Sequence, residues 1–185
     1  MILYHGSEHR IEKPQFGKGK LHNDYGRGFY CTEHIVLANE WAIDHNRNGY
    51  CNAYKIDIES LNVLQLNDSM YSILHWITVL LENRTFDILT DFGKEAVAYL
   101  KENFSLPYHD ADIIIGYRAD DSYFSYASDF INNIISLQTL ATFYVDGFNW
   151  QFPSFNSLER KKCLVKNGMG QSSRGIDRLE KNIKK

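Results

Sequence analysis

Asp24-Tyr25-Gly26-Arg27-Gly28-Phe29-Tyr30-Cys31-Thr32 is the stretch on which the fold of this chain turns. Two glycines flank an arginine, and the run becomes apolar and aromatic from Gly28 onward. A turn feeding a short strand has that composition. Thr32 is a suitable N-cap, and Ile35, Ala38, Trp41 and Ala42 follow at helical spacing, so the strand is expected to lead into a helix stopped by Gly49. Upstream, Ile2–Tyr4 is a short apolar run ending at His5-Gly6-Ser7, again a strand entering a turn. Between the two strands, residues 8–25 carry Gly17, Gly19, Asn23 and Asp24 and read as a long polar loop.

Further out, Asn52–Ile58 alternates Tyr54, Ile56 and Ile58 with Ala53, Lys55 and Asp57, the pattern of a half-buried strand. Met70, Ile73, Leu74, Ile77, Leu80 and Leu81 recur with a helical period, and so do Ala96, Val97, Leu100 and Phe104. Ile113–Ile115 is a run of β-branched residues suited to a buried strand. Helical patterns follow at Tyr123–Ile135 and Ser136–Val145, with Gly147 as the break, and Phe148–Phe152 and Cys163–Val165 read as late strands. Helices concentrated between two groups of strands predict an α+β fold rather than alternating βαβ units. The expected domain spans residues 1–167. Residues 168–185 form a basic C-terminal tail, expected to be helical or mobile because Ile176, Leu179 and Ile183 lie one helical face apart.

Composition narrows the function classes. The chain has 185 residues, 44% hydrophobic and 23% charged, which suits one globular domain and excludes disordered or collagen-like structure. The net charge of −3 argues against a general nucleic-acid binder. That charge is uneven: residues 158–185 hold nine Lys and Arg against three acids, so the body is acidic and the tail basic. Such a tail suits an acidic partner, a phosphate backbone or an ordinary solvated helix. No basic-then-apolar leader opens the sequence and no apolar run approaches a membrane span, so no membrane partner and a cytoplasmic location are expected. Cys31, Cys51 and Cys163 are odd in number and lack a Cys-x-x-Cys spacing, which fits a reducing compartment.

The seven histidines form no His-Glu-x-x-His or Cys/His zinc pattern, so no metal is expected. Gly-x-Ser-x-Gly, the P-loop and Gly-x-Gly-x-x-Gly are all absent. What remains are the two strand ends. His5-Gly6-Ser7 offers an imidazole, a bare amide and a hydroxyl at one point, and Gly26 and Gly28 permit close approach beside Arg27. Tyr30 and Trp41 supply flat faces that suit a planar ring, though such residues also serve as ordinary core. Asp120 and Asp121 follow the strand Ile113–Ile115, either capping the next helix or facing a cleft.

Tyr4-His5-Gly6-Ser7, Asp24-Tyr25-Gly26-Arg27-Gly28-Phe29-Tyr30 and Ala119-Asp120-Asp121, in this order, resemble a bacterial family of uncharacterised domains in the ADP-ribosyltransferase superfamily. The branch is the H-Y-E type of diphtheria toxin and the poly(ADP-ribose) polymerases. The segment from Ser136 to Gln151 is similar too, so the resemblance covers most of residues 1–165. It implies a split β-sheet core with a helical insertion between the N-terminal and C-terminal strands, and NAD as substrate without a metal.

Residue by residue, it implies that His5 holds a ribose hydroxyl, Gly6 bonds the nicotinamide carboxamide through its backbone, and Tyr30 stacks on nicotinamide. Trp41, eleven residues after Tyr30, matches the second aromatic of the polymerase branch, whereas the serine three residues before it is Ala38 here. Ser7, Gly28 and Phe29 complete the NAD-binding set, with Arg27 as the pyrophosphate candidate and Arg118 as a lesser one. The third motif position falls on Gln151, an amide where the motif has glutamate, with Glu159 the nearest downstream acid. An amide orients a hydroxyl without supplying charge, which favours single transfer over polymer synthesis. Asp120 and Asp121 are the acceptor-side candidates.

The resemblance thus implies a mono-ADP-ribosyltransferase with catalytic residues His5, Tyr30 and Gln151, acting on a protein or nucleic-acid acceptor. By family habit it would be a bacterial toxin or defence effector with a possible antitoxin partner. An NAD glycohydrolase and a non-catalytic binding module that keeps the fold are the rival expectations.

Overall fold

The protein is described by a computed structural model covering residues 1–19, 22–43, 48–117, 121–142, 161–165 and 176–178. Its strands and α-helices run β1 (Ile2–Ser7), β2 (Phe29–Cys31), α1 (Ile35–Ala42), β3 (Tyr50–Ile56), β4 (Val63–Gln65), α2 (Ile73–Asn83), α3 (Asp91–Phe104), β5 (Ile113–Tyr117), α4 (Asp121–Ile131), α5 (Leu137–Ala141), β6 (Lys161–Val165) and β7 (Ile176–Arg178). The strands form two sheets, one ordered β1-β3-β7 and the other β2-β6-β5-β4. Among the described residues every pairing is antiparallel except β4 with β5. The fold is α+β, as the segregation of helical and strand patterns predicts.

The three residues of β2 explain why this stretch decides the fold. All three are buried. Side chains alternate across a strand, and here each face has its own core. Phe29 and Cys31 join Leu3, Tyr54, Ile56 and Ile113. Tyr30 turns the other way, into a helical core with Tyr25, Trp76, Ile77 and Leu80. β1 touches β2 at one bridge, where Tyr4 and Thr32 exchange backbone hydrogen bonds of 2.7 and 2.9 Å. That bridge is the seam between the sheets.

Helix α1 lies on β1, and Gly6 makes the approach possible. A Cβ there would overlap the Ala38 carbonyl oxygen and come within 2.6 Å of the Ala42 nitrogen and 2.8 Å of the Trp41 Cβ. The second glycine with a conformational duty is Gly26, whose φ of 78° is left-handed. It turns the chain into β2, and its amide donates to the Asn23 carbonyl at 2.9 Å. Tyr25 anchors the turn from below: its hydroxyl donates to the Tyr117 carbonyl and accepts from Trp76 Nε1 at 3.1 Å. Asp24, fully buried, pairs with Arg84 at 2.8 Å, and the Arg84 guanidinium lies 4.3 Å over the Phe124 ring.

Several expectations shift. Thr32 does not cap α1: the bridge to Tyr4 draws its backbone into the sheet seam, its hydroxyl accepts from the His34 amide at 3.1 Å, and the helix starts at Ile35. β4 was not legible in the sequence. It is three residues long, and a parallel partner, β5, holds it. α4 stops at Ile131 rather than running to Ile135, because Asn133 turns left-handed at φ 60°. Of the tail expected to be helical or mobile, only Ile176–Arg178 is described, and these three residues pair as a strand with the β3 edge at Tyr54–Ile56. The late strand expected at Phe148–Phe152 and the break at Gly147 lie outside the described residues.

Candidate functional site

Past the Tyr4–Thr32 bridge, β1 and β2 part. Backbone groups of alternate residues share a strand edge, so the amide and carbonyl of Gly6 face the same side as those of Tyr4, towards β2. By the same rule the Tyr30 carbonyl faces β1. Instead of meeting Gly6 it accepts a hydrogen bond from His5 Nδ1 at 2.6 Å. The imidazole thus fills the fork where the two sheets separate.

This hydrogen bond sets the chemistry of His5. A carbonyl only accepts, so Nδ1 carries the proton and Nε2 presents its lone pair. Burial disfavours the imidazolium and lowers the pKa, and the Tyr30 carbonyl offsets this in part. His5 is therefore neutral at pH 7, an acceptor held in place. Its ring lies 4.4 Å from that of Phe29, tilted by 37°.

A cavity of about 460 Å³ opens at this fork. His5, Gly28, Phe29 and Tyr30 form its floor, and Ile11, Lys13, Gln15, Lys18, Gly19 and Asn23 form its wall. The volume suits a small-molecule site. The wall is the loop after β1, whose role sequence reasoning missed. Its glycines and polar residues signal a loop but do not say where it folds. Two buried groups say so. Asn52 Oδ1 accepts from the Ile11 amide at 2.9 Å, and the Tyr54 hydroxyl donates to the Ile11 carbonyl at 2.7 Å. Asn52 Nδ2 also donates to the Ser7 hydroxyl at 3.0 Å. Both anchors lie on β3, directly beside His5 and Leu3 in register.

The other expected site residues are distributed as follows. The Ser7 hydroxyl donates to the His9 carbonyl at 2.6 Å, which shapes the loop start. Arg27 is exposed and does not line the cavity, so the expected pyrophosphate contact has no support in its placement. Tyr30 is more constrained than a free stacking platform. Its hydroxyl accepts from the Tyr25 amide at 3.1 Å and donates to the Gly26 carbonyl at 2.7 Å, and burial pushes its phenol pKa up. Trp41 is half-buried on α1 beside Gly6. β-alternation puts Gly6 and Tyr30 on the face opposite His5, so Gly6, Tyr30 and Trp41 share one side of the fork.

Ala38 is fully buried against Gly6. Asp121 opens α4. Asp120, Arg118, Gln151 and Glu159 lie outside the described residues. Among the described residues no three His, Cys, Asp or Glu gather as metal ligands would, and no helix is long and apolar enough to cross a membrane.

A family model described as "Protein of unknown function (DUF3990)" matches residues 1–164. No curated protein and no solved structure matches the chain.

Proposed function

The chain belongs to the DUF3990 family, and we propose that this member is a mono-ADP-ribosyltransferase that cleaves NAD and passes ADP-ribose to a protein or nucleic-acid acceptor. One observation carries the reading: at the fork between two sheets His5 is fixed as a neutral hydrogen-bond acceptor, with the Gly6 backbone beside it and a cavity in front of it. The resemblance implies a split β-sheet core with NAD as substrate, and a motif histidine at the fork between two sheets fits that implication.

Each residue then has a stated task. His5 Nε2 accepts a hydrogen bond from a ribose hydroxyl and so fixes the sugar. The Gly6 amide and carbonyl offer a donor and an acceptor side by side, the complement of a carboxamide. Tyr30, locked by Tyr25 and Gly26, and Trp41 bound the nicotinamide on the face opposite His5. The reaction breaks the bond from the ribose C1′ to the nicotinamide nitrogen, whose electron pair leaves with nicotinamide. A nucleophile on the acceptor then forms the new bond to C1′. Holding the sugar against fixed polar groups supplies most of the catalysis. Gln151 orients a ribose hydroxyl, and Asp120 and Asp121 serve the acceptor side. A bacterial toxin or defence effector acting in the cytoplasm, with an antitoxin partner, is the setting that the resemblance favours.

Purified protein, a cell lysate and NAD labelled in the adenylate test the reading. Label is expected on a macromolecule, falling about 10²-fold or more in His5→Ala, the order for losing one positioned polar group. Free ADP-ribose alone would make the protein a glycohydrolase, and unchanged NAD would sink both readings.

A further inference from the structure

The wall of the cavity carries a charge pattern that the motif residues leave unexplained. Lys13 and Lys18 line it, and no aspartate or glutamate does among the described residues. Among the described residues neither lysine has an ion-pair partner. The remaining polar lining, Gln15 and Asn23, is uncharged, and His5 is neutral. Two cations facing a cavity with no carboxylate among its described lining residues favour an anion there.

Both lysines are exposed, but the loop that carries them is tied to the site. Their loop leaves β1 two residues after His5 and is fixed at Ile11 through both its backbone groups, by Asn52 and by the Tyr54 hydroxyl. Asn52 is almost fully buried, and so is Tyr54. Two buried polar side chains spent on one loop residue hold the start of the wall, at Ile11, beside His5.

We propose that the loop from Ile11 to Gly19 reads phosphate: Lys13 and Lys18 receive the diphosphate of a nucleotide whose sugar meets His5, and Asn52 and Tyr54 are positioning residues that set the loop through Ile11. In naming NAD as the nucleotide, this rests on the transferase reading. The anion site itself does not.

Calorimetry at low salt with ADP, inorganic pyrophosphate and adenosine separates the two ideas, because none of these probes requires turnover. ADP and pyrophosphate are expected to bind the native chain with an affinity that falls as salt rises. Lys13→Ala combined with Lys18→Ala should weaken ADP about tenfold or more, the scale of charged hydrogen bonds, and leave adenosine unchanged. Tyr54→Phe keeps the ring and loses only the hydroxyl. It should weaken ADP several-fold while adenosine is retained; equal loss of both probes would show mere loosening and remove the positioning role. A native chain that binds neither ADP nor pyrophosphate overturns the site. So does a double lysine variant with native ADP affinity, even if NAD is still cleaved. Lysine-dependent ADP binding in a chain that leaves NAD intact would keep the anion site and discard the transferase reading.

Discussion

At the scale of single residues, His5 and Tyr30 define each other. The His5 ring spends its one proton on the Tyr30 carbonyl, and the Tyr30 hydroxyl closes the turn that delivers that carbonyl. The lowered pKa of His5 means that the unfolded chain takes up its proton first as pH falls. Stability supplied by the neutral ring is complete above the ordinary histidine value of about 6.5 and is lost as pH falls through the lower folded value. NAD cleavage by the folded chain should fall only as pH drops through that lower folded value, because a protonated Nε2 donates where an acceptor is needed. Chemical denaturation from pH 7 to 5 should show this slope in the native chain and a shallower one in His5→Gln; identical slopes would refute the linkage. Tyr30→Phe keeps the ring but leaves the Tyr25 amide and the Gly26 carbonyl buried without their partner. A cost of about 1–3 kcal/mol is expected from urea unfolding, with ring-dependent NAD affinity retained in whatever fraction stays folded. The sequence names both residues, but not the hydroxyl's task, because a hydrogen bond to a turn five residues upstream leaves no periodic trace.

At the scale of elements, what was legible follows local periodicity, and what was not follows long-range pairing. α2 and α3 stand where their apolar spacing puts them, and β5 is the expected β-branched run. β4 and β7 are three residues each and exist because a partner strand accepts them. Neither has a face long enough to show alternation. The start of α1 was misplaced because Thr32, a good cap by composition, is taken by a strand 28 residues away in sequence. Gly6 shows the same limit. In the sequence it reads as an opening for a ligand, whereas in the fold its bare Cα admits α1 against β1 on one face, while its amide edge looks into the fork. Gly6→Ala should therefore act first on packing. Overpacking costs about 1–3 kcal/mol and more where backbone is struck, and the obstacle here is the backbone of α1. A thermal midpoint within a degree of the native one would show that α1 yields easily and that the glycine is kept for the ligand alone.

At the scale of the molecule, the site belongs to neither sheet. His5 stands on β1 of the first sheet, and Phe29 and Tyr30 stand on β2 of the second. The sheets meet through the Tyr4–Thr32 bridge, the imidazole and the apolar core that Leu3, Tyr54 and Ile56 share with Phe29, Cys31 and Ile113, and a ligand in the fork adds contacts to both. Residues Ile176–Arg178, as β7, extend the sheet that carries His5. A ligand that binds only the folded chain stabilises it by about 2.7 kcal/mol at a concentration 100 times its dissociation constant. For a chain of this size each kcal/mol moves the melting temperature by about 2–4 °C. NAD at that concentration should raise the midpoint by about 5–10 °C, and ADP should give part of the rise through the lysine wall. His5→Ala should lose most of the NAD increment while keeping the ADP part. If both ligands stabilise His5→Ala as well as the native chain, they bind away from the fork, and the sheets are joined there by the protein alone.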